Sequence, residues 1–303
     1  MSHIDGGEPT ELAVLSWNLF HGRDDPPDHR LLTLRSRLLR RSEDDGAYVQ
    51  VNRSLEREFA QVLAGAHWSL ALLQEVPPAW AGTLARATGA QPFRVLTSRN
   101  ELRPLTTLVG RWNPDLIASW EGGSNVVLVR APCQIVPGSE RSLLLNPLRE
   151  RVLRQRLLRE RRRMAFVRVR NGEGVEVGVA NLHASTGPPA QTEREVLRAA
   201  AAAVRWSAGT PLVFGGDFNA RPERSPKLFE ELERRFGLAP PTAPDAIDHL
   251  LARGLAVVSP PRRWPPERRE LEISTARGPR LLRLSDHAPV AATFSVRPDG
   301  LGA

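Results

Sequence analysis

The sequence predicts an α/β fold of two packed β-sheets with helices on their outer faces. Short apolar runs rich in Val, Leu and Phe recur along the chain, and many are apolar at successive positions, as strands buried on both faces are. Amphipathic helical stretches and Pro/Gly turns separate these runs. The chain has 303 residues, 41% apolar and 25% charged, the composition of an ordinary globular protein with enough length to bury a large core.

In chain order the predicted strands are LAVLSW (12–17), SLALLQ (69–74), NVVLVR (125–130), MAFVRVR (164–170), VEVGVANL (175–182), PLVFGG (211–216), AIDHLL (246–251) and APVAATFSV (288–296). The first predicted helix, 52–66, takes Ser54 as N-cap and stacks Leu55, Phe59, Val62 and Leu63 on one side, so it can cover a sheet. A second lies at 77–89, and a third at 189–207 opens on a proline. The fourth, 225–237, has Ser225 as cap, Pro226 at the first helical position and Gly237 as stop. Pro- and Arg-rich stretches at 239–245 and 259–270 read as surface loops, since strand-like segments resume after each. A single domain is expected over 12–297, flanked by tails at 1–11 and 298–303.

The net charge is 42 − 34 = +8, which suits a polyanionic partner such as nucleic acid or an anionic lipid surface. Lys227 is the only lysine, however, and the other 41 basic residues are arginine, so part of the basicity is a compositional skew. One stretch stands out: 149–163, RERVLRQRLLRERRR, carries eight Arg and two Glu, a local +6. It reads either as a solvated amphipathic segment or as a phosphate-contacting arm. Cys133 is the single cysteine, which excludes an intrachain disulfide and a thiolate zinc site. No signal-like segment or membrane-length apolar run is present, so a cytoplasmic location is the expectation.

Polar residues mark the ends of the apolar runs: Asn18, Glu75, His183, Asp217 with Asn219, Asp248, and Asp286-His287. Each alone has a structural explanation, as a turn residue or a satisfied core histidine. Strand ends on one edge of a sandwich converge, and together these residues form a coherent set. Glu75 and Asp286, helped by the Asn18 amide oxygen, are hard ligands suited to Mg2+ or Mn2+. Asp248 can orient His287 as a proton acceptor, and Asp217 can align an attacking water. Asn219 and His183 can donate to phosphate oxygens as charge grows on them. The chemistry indicated is metal-assisted hydrolysis of a phosphate ester.

The motifs SWNLF, LLQEV, NLHAS, GGDFNA, IDHLL and SDHAPV, in that order over residues 16–290, resemble those of the endonuclease/exonuclease/phosphatase superfamily, whose best-known shape is that of deoxyribonuclease I. The resemblance covers nearly the whole chain and implies a four-layer α/β/β/α sandwich. It implies Asn18, Glu75 and Asp286 at a divalent-metal site, Asp217 orienting the nucleophilic water, and Asn219 on the phosphate. His183 falls on the leaving-group side, and Asp248 with His287 forms the acid/base dyad. The chain departs from the pattern in places. Members that cut at abasic sites carry Tyr near the position of His183, whereas Tyr48, the only tyrosine here, lies in no motif. Ala246 stands where many members have Arg, and His249 where inositol-polyphosphate phosphatases have Arg.

The expected function is a magnesium-dependent phosphodiesterase acting on nucleic acid, with Arg161, Arg162 and Arg163 at the cleft edge as substrate contacts. The alternative is the same machinery on a lipid head group or small phosphoester, as in sphingomyelinase- or phosphoinositide-type relatives, with Trp264 as a bilayer contact. A non-catalytic scaffold would lack catalytic residues, and none of those placed is missing.

Overall fold

The computed structural model describes residues 11–33, 38–97, 114, 123–145 and 162–296. The chain opens with β1 (Glu11–Asn18), a short hairpin of β2 (Arg41–Glu43) and β3 (Val49–Val51), α1 (Glu56–Gly65), β4 (Leu70–Val76) and α2 (Ala81–Thr88). Then follow β5 (Ala90–Leu96), β6 (Ser124–Arg130), β7 (Gln134–Ile135), β8 (Arg141–Leu144), β9 (Arg163–Arg170) and β10 (Glu176–His183). The last part holds α3 (Pro189–Ser207), β11 (Leu212–Asp217), α4 (Pro226–Phe236), β12 (Asp248–Arg253) and β13 (Ala256–Arg263). A second hairpin, β14 (Glu270–Thr275) and β15 (Gly278–Arg283), precedes β16 (Val290–Ser295).

Two six-stranded sheets carry the fold. The first runs β13-β16-β1-β4-β6-β5; the second runs β12-β11-β10-β9-β7, with β8 also on β9. Alternation along the strands sorts side chains into separate layers. Leu12, Val14, Leu70, Leu72, Val127 and Val129 point inward and meet Val167, Val169, Val177, Val179 and Val213 of the other sheet. The intervening Trp17, Leu73 and Leu128 point outward beneath Phe59 and Leu63 of α1 and Leu84 of α2. On the far side Phe166, Leu182 and Phe214 pack under Val196, Ala199 and Ala203 of α3 and Leu232 of α4. Helix, sheet, sheet, helix is the predicted four-layer order.

Helix 189–207 appears as predicted, and α4 ends at Gly237 in the left-handed conformation. Some boundaries move. Helix α1 starts one turn-position later than Ser54 predicts, with Leu55 at the cap and no side-chain capping bond. Ser225 sits at the α4 cap position, but its hydroxyl donates to Glu193 Oε1 at 2.6 Å instead of capping. Helix α2 begins at Ala81, because Pro77 and Pro78 occupy the preceding turn.

The stretch 259–270 is not a loop throughout. Residues 259–263 complete β13, an edge strand whose register breaks between Ser259 and Arg262. Pro260 and Pro261 fall in that break, where no ladder bond is lost. Trp264, a bilayer contact on the alternative lipid reading, is instead 7% exposed and part of the outer core of the first sheet. Among the described residues no helix is long and apolar enough to cross a membrane.

Gly216 shows how tightly the second sheet is drawn. Its φ is +128°, and a Cβ there would lie 1.9 Å from the Leu182 carbonyl oxygen of β10. Gly174 also has a positive φ, +85°, but open space around it. We expect Gly174→Ala to cost about 1 kcal/mol from backbone strain alone. Gly216→Ala should cost at least about 3 kcal/mol or prevent folding, because strain and a backbone clash combine. Urea melts of the two variants check the contrast.

Candidate active site

Strand pairing brings the polar strand ends together. The parallel pair β1 and β4 sets Asn18 beside Gln74, one residue before Glu75. In the other sheet the register places His183 beside Asp217, and Asp217 beside Asp248. His287 lies in the turn leading into β16, where Ser285 holds it: the Ser285 hydroxyl donates to Asn18 O at 2.6 Å and accepts from His287 N at 3.0 Å. The Trp17 indole donates to His287 O at 3.0 Å. All eight predicted polar residues therefore gather at one edge of the sandwich, built from both sheets.

His287 Nδ1 lies 2.8 Å from Asp248 Oδ2 and, since a carboxylate can only accept, donates to it. That fixes the ring so that Nε2 faces Asp217 Oδ2 at 3.9 Å and Asp286 Oδ1 at 3.8 Å. Burial opposes the charged form of His287, but Asp248, Asp217 and Asp286 together raise its pKa well above the ordinary value. Asp217 is 1% exposed, and burial, aided by repulsion from Asp248, pushes its carboxyl up to about 7. The Asn18 amide and the Asn219 backbone N–H each donate to it, at 3.1 and 2.9 Å. Asn219 has φ +50°, and its amide donates to Ala184 O at 3.1 Å.

His183 is fully enclosed. Burial first, then the adjacent Arg162, hold its pKa well below the ordinary value, so the ring is neutral. Its Nε2 faces Glu75 Oε1 at 3.6 Å and Asp217 Oδ2 at 3.5 Å, while the Arg162 guanidinium packs against its ring nitrogens. Arg162 is 7% exposed, so it is not a surface arm. Arg163 begins β9 and donates to the Ser142 hydroxyl at 3.2 Å, and Arg161 lies outside the described residues, as does most of the Arg-rich segment.

The donor chemistry fits a hard divalent cation. Burial raises the pKa of Asp286, and the neighbouring Glu75 and Asp25 carboxylates add to the rise against the opposing pull of His287. Glu75 and Asp286, with the Asn18 amide oxygen, offer the oxygens that Mg2+ or Mn2+ prefers. Asn18 Oδ1 already accepts from Phe20 N at 3.0 Å, and a carbonyl oxygen keeps a second lone pair. Asp217, Asp248 and His287 form another group able to hold an ion, with ligand atoms all within 4.8 Å of one another.

Sequence reasoning missed three contributors. His21 is buried with Nε2 3.3 Å from Glu75 Oε2; it stands three residues after Asn18 in the turn that follows the SWNLF motif, which was the available signal. Gln74 and Asn181, both inside recognised motifs, join across the sheets at 2.8 Å. Arg162 was noticed, but for a different role. His249 proves structural: it accepts from Thr242 N at 3.2 Å through Nδ1, so Nε2 carries the hydrogen for Ala220 O at 3.1 Å. Its ring packs against Phe218 and Phe229.

The sequence profile described as the Endonuclease/Exonuclease/phosphatase family matches residues 15–287. Similar solved structures include an endonuclease/exonuclease/phosphatase family protein from Bacteroides thetaiotaomicron, 14% identical, covering 96% of this chain and 99% of that one, with a TM-score of 0.63. The mannosyl-6-phosphatase Bt3783 of the same organism is 14% identical over 93% and 99% of the two chains, TM-score 0.60. Truncated TDP2 from Caenorhabditis elegans is 16% identical over 94% and 98%, TM-score 0.54. No curated protein matches the sequence at a significant level.

The raised Asp217 carboxyl has a measurable consequence in metal-free protein. Its pKa is 3.8 in an unfolded chain and about 7 when folded, so between these values the folded state holds a proton that the unfolded state has released. Its contribution to stability is present below about pH 4 and is lost as pH rises to about 7. Urea melts in EDTA across that window should show a stability decline in the parent that is flattened in Asp217→Asn.

Proposed function

The chain belongs to the endonuclease/exonuclease/phosphatase family, and from that premise we propose that it is a divalent-metal-dependent phosphodiester hydrolase that cleaves nucleic acid with an activated water. One observation carries the reading. The Asp248-His287 pair, closed at 2.8 Å, aims Nε2 at Asp217 Oδ2 across 3.9 Å. That gap is too long for a direct hydrogen bond, yet a single water beside it can reach both groups.

The water oxygen bonds to phosphorus as the bond to the leaving oxygen breaks, and the Asp217-His287 pair takes the water's proton. Both groups lie within reach of a water between them, so either can receive that proton. Asp248 keeps the His287 ring in the orientation that exposes Nε2. The neutral His183 ring and the Asn219 amide supply N–H donors for phosphate oxygens whose negative charge grows in the transition state. Glu75 and Asp286, with Asn18, would hold Mg2+ or Mn2+, which when bound polarises the phosphate and offsets its charge. The assignment to nucleic acid rests on the +6 segment 149–163, whose end reaches the site through Arg162. A chain of phosphates gains most from such a segment, by releasing counterions.

Purified protein with Mg2+ should nick plasmid DNA or degrade a single-stranded oligonucleotide, and EDTA should abolish the activity. His287→Ala should lower turnover by roughly 10²- to 10⁴-fold with the fold retained by circular dichroism. Hydrolysis confined to small phosphomonoesters, with DNA and RNA left intact, would overturn the nucleic-acid assignment and leave the catalytic one standing.

A further inference from the structure

We propose that His21 is a positioning residue for the metal centre: its imidazole N–H orients the Glu75 carboxylate for a divalent cation. This rests on the reading of Glu75 as a metal ligand. Glu75 needs such a support, because the backbone alone does not fix it. It has φ +49° and lies where the β4-β6 register breaks, between Leu73 and Val76. The strand ladder that holds its neighbours is therefore interrupted at this residue.

The turn after β1 supplies what the ladder does not. Phe20, His21 and Gly22 all have positive φ, at 49°, 53° and 76°. Such a run is costly and persists only when its surroundings impose it. Asn18 Oδ1 accepts from Phe20 N at 3.0 Å, Leu19 N donates to Gln74 O at 2.9 Å, and Gly22 N donates to Leu19 O at 2.7 Å. Gly22 is pressed so closely on Trp80 that a Cβ would come within 2.2 Å of the indole. One strained turn thus fixes Asn18 and His21 together and ties both to the strand bearing Glu75.

The His21 ring has a single polar engagement among the described residues. Nε2 is 3.3 Å from Glu75 Oε2, and the buried Nδ1 has no hydrogen-bond partner. His183 Nε2 stands 3.6 Å from the other oxygen, Oε1. The His21 imidazole against Oε2 leaves each carboxylate oxygen a lone pair for a cation and restricts the rotation of the group. Groups that orient a ligand in this way typically change metal affinity by about 10- to 100-fold when removed.

The test is Mn2+ binding to the purified full chain, read from the electron paramagnetic resonance signal of the free ion. Parent protein should bind Mn2+, and Glu75→Ala should lose it. His21→Ala should weaken binding by about 10- to 100-fold, and His21→Gln, whose amide N–H has similar reach, should restore most of it. If His21→Ala does not fold, His21→Phe keeps the ring without the N–H and should show the same loss. Parent-like binding by His21→Ala or His21→Phe, or a His21→Gln protein as weak as its Ala counterpart, overturns the proposal. Parent protein that binds no Mn2+, or Glu75→Ala that binds as well as the parent, overturns the metal reading itself and this proposal with it.

Discussion

Two buried carboxamides, Gln74 of the first sheet and Asn181 of the second, meet at 2.8 Å inside an otherwise apolar interface, and the geometry of the candidate site hangs on that contact. Asn181 also donates to the Leu73 and Val126 carbonyls across the interface, at 2.9 and 3.0 Å. Asn125 adds a third bridge, its amide donating to Arg163 O at 2.8 Å. Aliphatic side chains alone allow two sheets to slide, since one Val packs on another in many ways. Buried amides do not, because each donor left unpaired costs about 1–3 kcal/mol. Gln74 precedes Glu75 directly, and Asn181 precedes His183 by two residues. Locking the first pair in register therefore sets the second pair 3.6 Å apart.

With the sheets locked, the edge of the sandwich can hold a charge distribution that would not assemble by itself. Glu75, Asp217, Asp248 and Asp286 crowd against positive groups that include Arg162, Arg23 and His287. The consequences run in opposite directions: Asp217 and Asp286 are driven toward protonation, while His287 is driven to keep its proton. Backbone strain concentrates in the same place. Of the seven non-glycine residues with positive φ among the described residues, five are Phe20, His21, Glu75, Asn219 and Ser285, all in or beside the site. Strain of this kind is sustained by the surrounding core and commonly accompanies function. An edge overloaded with carboxylates is also one whose stability a bound dication would raise.

The four layers were legible because strands buried on both faces announce themselves as unbroken apolar runs, as in SLALLQ and NVVLVR. Helix α3 was legible for a related reason, with Pro at its start and a long alanine-rich face. What escaped was structure without that signature. Strands β5, β14 and β15 are half-exposed, so their residues do not form apolar runs, and β13 carries two prolines that only an irregular edge strand accepts. Site residues were legible as a set, since each closes or adjoins an apolar run, but their pairings were not. Asn18 finds Asp217 at a separation of 199 residues, which only the packing of two sheets can arrange. His21 escaped because a lone histidine in a turn carries no periodic signal; its meaning appears once Glu75 is seen beside it.

Arg162 shows how a charge run divides its labour. By sequence it is one of eight arginines in 149–163 and indistinguishable from the rest. In the fold it is buried against His183 and adds to the effect of burial in lowering that ring's affinity for a proton, at close range. Arg163 is likewise taken into β9. Residues 149–161, outside the described part of the chain, hold six Arg and two Glu in sequence, a formal +4. An attraction that depends on exposed charge is screened by salt over about 10 Å, whereas the contact between Arg162 and His183 is shielded from it. Neighbours in sequence thus take unlike places in the fold: Arg162 lies among the polar strand ends of the candidate site, and Arg163 lies in β9 against Ser142.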